Sequence, residues 1–259
     1  MAKSIPDRWI PYRACGKVIE GTRIICFKVP LKKCVQENNK NIKEIWDIKS
    51  LLEKIPNLGG VVDLTNTARY YNPADLKTAG VLHVKILMLG RVIPPENKVK
   101  QFMDTIDEFL GKSRDVLVGV HCTHGLNRTG YMVCRYMRDR LGIPAREAIR
   151  RFEKARGYKI ERENYIADIL GKNPVAPDVG KKKTIVTPID KQTMEYRSPL
   201  GQYEEEDYDE RKTNGYRNRY NKKFKTPGNR YNSNESQSSS SRWDMSEMSH
   251  RPYSYKHDY

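Results

Sequence analysis

The sequence predicts an α/β domain with a mostly parallel central sheet flanked by helices, followed by a disordered C-terminal tail. Three observations carry this. Over residues 1–172, short β-branched or apolar runs alternate with amphipathic stretches, the pattern of strand–helix units. The apolar runs are near-continuous, as strands covered on both faces must be. Over 173–259, Leu, Ile, Val and Phe fall to seven residues in 87, too few to bury a core.

Taken in order, Thr22–Pro30 is rich in β-branched residues and reads as a strand. Asn41–Ile55 places Ile42, Ile45, Trp46, Ile48, Leu51, Leu52 and Ile55 near helical spacing. Gly60–Leu64 and Val81–Leu89 are buried-strand candidates. Lys98–Leu110 aligns Val99, Phe102, Met103, Ile106, Phe109 and Leu110 on one helical face, after the starter Pro94-Pro95-Glu96. Asp115–Cys122 is the strongest strand, and Arg128–Leu141, Ala145–Ala155 and Arg162–Leu170 read as helices. In such sheets, sites form where strand carboxyl ends lead into helices.

The expected organisation is a folded domain over 1–172 and a tail over 173–259. The tail carries acidic Glu204–Asp209, basic Arg217–Lys225, Ser238–Ser241 and nine of the 16 tyrosines. Tyrosines interleaved with basic residues can stack on bases and hold phosphates, although a solubilising role is the simpler reading. Formal charge is +16, and residues 1–172 hold 32 basic against 19 acidic side chains. Such a domain attracts polyanions. Apolar runs are too short to span a membrane, and the N-terminus lacks a signal-peptide pattern. Five cysteines without CxxC spacing argue against a disulfide framework or a zinc site and for a reducing compartment. No cofactor or metal is expected, and a monomer is.

The chemistry concentrates in the loop after the strongest strand. It reads His121-Cys122-Thr123-His124-Gly125-Leu126-Asn127-Arg128-Thr129-Gly130. Cys122 sits where strand turns into helix, so converging N–H groups and the helix N-terminus should favour its thiolate. That thiolate can attack phosphorus. The backbone from Thr123 through Thr129 can cradle phosphate oxygens, and the planar fork of Arg128 can clamp two of them. The Thr129 hydroxyl can donate to the sulfur when it leaves. Gly125 and Gly130 permit the tight turn, and His121 braces the loop. His83 reads as a satisfied structural histidine. The other cysteines have no such partners.

His-Cys, five residues, Arg-Thr-Gly resembles the signature of cysteine-dependent phosphatases. The fuller string HCTHGLNRTGY is similar to the RNA 5′-phosphatase branch: the RNA/RNP-complex-interacting phosphatases, the baculovirus RNA phosphatase and the triphosphatase domain of animal capping enzymes. Pro6-Asp7-Arg8-Trp9, GTRIICFKVPL, Val62–Thr67 leading to Arg69-Tyr70-Tyr71, Arg156-Gly157 and Glu161–Tyr165 resemble that branch too. The resemblance spans roughly residues 5–170. It implies a cysteine-phosphatase fold, metal-independent action on RNA 5′-tri- and diphosphate ends, and a nuclear location, to which Lys181–Lys183 and Arg217–Lys225 add. It also places Asp63, in the DLTNT segment, among the catalytic groups, bracing the site or positioning Arg128; a strand-end cap is the plain alternative.

Protein phosphatases of this superfamily carry an aspartate general acid about thirty residues before the cysteine. Here that region runs Met88–Glu96 without Asp, and only Glu96 could serve. An alkoxide leaving group needs a proton, but a phosphate one, with a pKa of roughly 6 to 7, does not. The expectation is therefore an RNA 5′-polyphosphatase that removes γ- and then β-phosphate through a phosphocysteine. Arg69, Lys85, Arg91, Lys159 and Arg162 are the candidate RNA contacts. The alternatives are a dual-specificity protein phosphatase, a stand-alone triphosphatase that stops at the diphosphate, and an RNA- or ribonucleoprotein-binding protein acting through its tail. A bifunctional capping enzyme is excluded by the absence of a KxDG motif.

Overall fold

The computed structural model describes residues 4–177. The expected tail, with its basic runs and tyrosines, lies outside the described residues from 178 onward.

Five strands form one sheet: β1 (Cys15–Val18), β2 (Ile24–Lys28), β3 (Leu58–Asp63), β4 (Leu82–Lys85) and β5 (Leu117–Cys122). Their order is β1-β2-β5-β3-β4, and all neighbours are parallel except β1 with β2. The strand that ends in Cys122 is therefore central, with a parallel neighbour on each side. Side-chain alternation sends each strand to both faces. Ile24, Cys26, Val62, Val118, Val120 and Cys122 join one core cluster. Ile25, Phe27, Val61 and Leu58 join the other.

The first face is covered by α4 (Glu96–Lys112), α5 (Asn127–Asp139), α6 (Ala145–Arg156) and α7 (Glu163–Ile169). The second is covered by α2 (Ile48–Lys54), α3 (Pro73–Thr78) and the N-terminal segment around Trp9, while α1 (Lys33–Gln36) is a single turn. This is the α/β architecture that the sequence predicts.

The differences are local. The helix expected over 41–55 begins only at Ile48, because the Asp47 carboxylate caps it, accepting from Ser50 N at 2.9 Å. Trp46 is instead part of the preceding loop, its backbone N–H donating to Gln36 Oε1 and its indole to the Lys28 carbonyl. The strand expected over 81–89 stops at Lys85. The chain beyond it buries Ile86 and Met88 but exposes Leu87 and Leu89. Strand β1 carries no alternating apolar pattern. Helix α3 is short, although Asn72 caps it and Pro73 opens it.

Glu153 on α6 is buried, with Ile160 N donating to it at 2.9 Å. Burial pushes its pKa up to about 7, outweighing that hydrogen bond and nearby Lys159. A carboxyl whose folded pKa lies above its unfolded value loses stabilisation as pH rises from about 4.5 to 7. Glu153→Gln keeps the acceptor and cannot ionise. It should raise Tm at pH 8 by a few degrees (about 1–2 kcal/mol) and leave Tm at pH 4 unchanged, as read by thermal unfolding at both pH values.

Candidate active site

The loop from His121 to Gly130 closes over the carboxyl end of β5, and its backbone carbonyls from Thr123 to Leu126 are tied outward. Thr123 O accepts from Val29 N at 3.2 Å. His124 O and Gly125 O accept from the Arg156 guanidinium, both at 3.0 Å. Leu126 O accepts from Gly130 N at 2.6 Å. In a planar trans peptide the N–H points opposite to the C=O. The amides of residues 124 to 127 therefore face the other way, and that of Leu126 reaches the Cys122 sulfur; amides so aligned can hold an anion.

Gly125 makes the turn. Its φ is +64°, and a Cβ there would lie 2.0 Å from the Phe27 carbonyl oxygen. Only glycine meets both demands.

Cys122 is 3% exposed. Burial alone would push its thiol up. The Arg128 charge, the Thr129 hydroxyl and the backbone N–H groups of Thr129 and Leu126 outweigh burial and hold it below the ordinary cysteine value. The Thr129 hydroxyl is buried and has no fully formed hydrogen bond, so it acts on the sulfur by proximity.

Arg128 is fixed on three sides. Nη1 donates to Leu64 O at 3.1 Å and Met88 O at 2.9 Å, and Nη2 donates to Thr123 Oγ1 at 3.0 Å. Of five guanidinium N–H groups, Nε–H and one on Nη2 remain for an anion.

Asp63 stands differently from the catalytic place expected of it. Its Oδ1 accepts from Thr65 N at 2.8 Å and Thr65 Oγ1 at 2.7 Å. Its Oδ2 accepts from Lys85 Nζ at 2.7 Å and Tyr71 OH at 3.2 Å. The Leu64 carbonyl, not Asp63, receives Arg128. Asp63 thus caps the strand end and braces the loop from behind. Burial pushes its carboxyl up, but His121, Lys85 and Thr65 overcome this and keep it low.

His121, fully buried, links that network to the loop. One ring nitrogen lies 2.9 Å from Tyr71 OH and the other 3.2 Å from Cys122 O. Burial lowers its pKa, outweighing the pull of Asp63 in the other direction. His83 also meets Tyr71 OH, at 3.1 Å, as a structural histidine does.

Two expected phosphate-binding residues have their side chains engaged elsewhere, so only their backbone amides are left for that role. His124 Nε2 is 2.7 Å from Asp7 O, and its ring packs on Tyr12. The Asn127 side chain is committed to Glu161, through Nδ2 to Oε2 at 3.1 Å and Oδ1 from the Glu161 N–H at 2.9 Å.

The candidate RNA contacts divide. Lys85 is turned inward onto Asp63 and Thr65, which corrects its expected role. Arg69, Arg91 and Lys159 are exposed, and Arg162 stands half-buried at the start of α7. Arg91 has a φ of +72°, and its carbonyl accepts from Asn164 Nδ2 at 2.8 Å, pinning the loop over Arg128 to α7. Among the described residues no group of three or more His, Cys, Asp or Glu is placed to hold a metal ion.

Sequence reasoning misses Arg156, Tyr71 and Glu161 as site-building residues. Arg156 and Glu161 stand near helix ends, and nothing in their spacing links them to Cys122. An arginine out of place on the apolar face of an amphipathic helix is the signal that could find the first of them.

A family model described as the catalytic domain of dual specificity phosphatases matches residues 36–173. The chain belongs to this family. The phosphatase is 48% identical over 165 residues to a tyrosine-protein phosphatase of Autographa californica nuclear polyhedrosis virus, covering 64% of this chain and 98% of that protein. It is 51% identical over 170 residues to a protein of Orgyia pseudotsugata multicapsid polyhedrosis virus, covering 66% of this chain and 77% of that one. The human RNA/RNP complex-1-interacting phosphatase is 43% identical over 171 residues, covering 64% of this phosphatase and 51% of the human one.

Proposed function

We propose that this phosphatase is an RNA 5′-polyphosphatase. The observation that carries the reading is what lies over Arg128. The segment 86–95 reaches the guanidinium through Met88 O, yet it offers Leu87 and Leu89 to solvent and no carboxylic acid. Glu96, the one carboxylate nearby in sequence, opens α4 and is held by Arg135 Nη2 at 2.6 Å. A leaving group that needs protonation is poorly served here. A phosphoanhydride is not, since its departing oxygen is a weak base. The basic domain and the RNA-related name of the human relative support the same substrate.

The reaction then runs in two steps. The Cys122 thiolate attacks the γ-phosphorus; the S–P bond forms, the bridging P–O bond breaks, and the electron pair leaves on the β-phosphate oxygen. Arg128 and the inward amides gain strength as charge builds on the three equatorial oxygens. Water then attacks the phosphocysteine, the S–P bond breaks, and the Thr129 hydroxyl steadies the departing thiolate. A second round removes the β-phosphate. Arg69, Arg91, Lys159 and Arg162 are the cations that would hold the RNA, and a nuclear location suits that substrate.

The test is phosphate release from a 5′-triphosphorylated oligoribonucleotide in the presence of EDTA, with the RNA end resolved by chromatography. The expected product is a 5′-monophosphate, with two phosphates released per end. An end that halts at the diphosphate would make the protein a triphosphatase only. A faster turnover of phosphotyrosine peptides at equal concentration would favour the dual-specificity protein phosphatase reading instead.

A further inference from the structure

Buried hydroxyls nearly always find a hydrogen-bond partner, and each one that does not calls for a reason. Tyr165, on α7, is 0% exposed; the Arg91 backbone amide approaches its hydroxyl oxygen, yet the hydroxyl proton has no acceptor in the protein. The ring is fixed: it packs at 5.1 Å on Tyr131 of α5, three residues beyond Arg128. The Arg91 amide that approaches the hydroxyl belongs to the segment whose Met88 carbonyl holds Arg128, and the neighbouring residue Asn164 ties α7 to Arg91 O. The other unpartnered hydroxyl in this region belongs to Thr129, beside the sulfur. Both buried hydroxyls thus stand within electrostatic reach of the Cys122 sulfur, and that of Tyr165 within reach of Arg128 as well.

We propose that Tyr165 is a further catalytic residue, whose hydroxyl donates a hydrogen bond to an equatorial oxygen of the phosphoryl group being transferred. The unbound protein then leaves the donor unpaired, a cost of burial that the substrate relieves. Such a donor strengthens as negative charge accumulates on that oxygen, so it acts on kcat more than on binding. Burial, together with the nearby sulfur, outweighs Arg128, the Arg91 backbone amide and Arg162 and pushes the hydroxyl up to about 12. It therefore remains protonated through the working range and gives up no proton. The bonds made and broken are those of the phosphoryl transfer already described, and Tyr165 adds only a hydrogen bond. The proposal rests on phosphoryl transfer at Cys122 and not on the identity of the leaving group.

Tyr165→Phe removes the hydroxyl and keeps the ring packing. Its kcat and KM should be measured on triphosphorylated RNA and on a small aryl phosphate, alongside Tm. The expected result is a fall in kcat of about tenfold on each substrate the wild type turns over, KM within twofold, and a Tm that does not drop. An unchanged kcat would overturn the proposal. So would a Tm lower by several degrees, which would mean that the hydroxyl had a structural partner. A wild type active on the aryl phosphate but inert on RNA would sink the RNA reading alone, and Tyr165 would still be judged on the aryl phosphate.

Discussion

Serine in place of Cys122 should reduce phosphate release by roughly 10⁴-fold or more, while the protein stays folded and still binds substrate. The side chains differ by one atom in a site whose walls are set by backbone, so the cradle survives. What changes is the nucleophile. Arg128, the Thr129 hydroxyl and the Thr129 and Leu126 amides pull the thiol below its usual pKa. The same surroundings cannot bring an alcohol, many units less acidic, into its ionised form near neutrality. The wild-type enzyme should show the matching pH behaviour. A depressed thiol pKa keeps the thiolate populated to lower pH than a free cysteine would, so kcat/KM should hold through neutrality and fall only on the acid side. The rate of alkylation of Cys122 by iodoacetate should follow the same acid limb. An alkylation rate that rose only above pH 8 would contradict the site described above.

Much of this site is legible in the amino-acid sequence alone. The strand ending in Cys122, the turn at Gly125 and the helix opening near Arg128 are encoded within ten consecutive residues, and local backbone chemistry suffices to read them. The tertiary partners are not legible. That Leu64 O and Met88 O hold Arg128, and that Asp63 serves Lys85 and Tyr71 instead, depends on how β3 and the segment after β4 meet β5. Sequence spacing carries no information about that meeting. The helix expected from residue 41 starts late for a related reason. Ile42, Ile45 and Trp46 are apolar in a stretch that folds as a loop, with Ile42 and Trp46 packed on the second face, and the Asp47 cap, not the apolar period, sets where the helix begins.

Arg156 shows how a residue far from the chemistry can control it, and its replacement should have the second-largest effect. The side chain is 1% exposed and donates to His124 O and Gly125 O at 3.0 Å and to Arg13 O at 2.8 Å. By turning those two loop carbonyls away from the sulfur, it turns the following amides toward it. Arg156→Met fills the space but takes this donor from three carbonyls, that of Gly125 buried and those of His124 and Arg13 partly so. A buried acceptor left unpaired costs about 1–3 kcal/mol, partly offset here because a buried cation is also removed. The net loss should be about 2–4 kcal/mol, a fall in Tm on the order of 10 °C. Turnover should drop about 10²-fold, since the cradle loses its alignment. Stability alone would not move the thiol. A loosened cradle would, because fewer amides then face the sulfur, so the acid limb of kcat/KM should shift to higher pH in Arg156→Met. Arg156→Lys keeps the charge and one or two of the bonds, and should recover most of the stability and part of the rate. An Arg156→Met enzyme with lowered Tm but an unmoved acid limb would reduce Arg156 to packing.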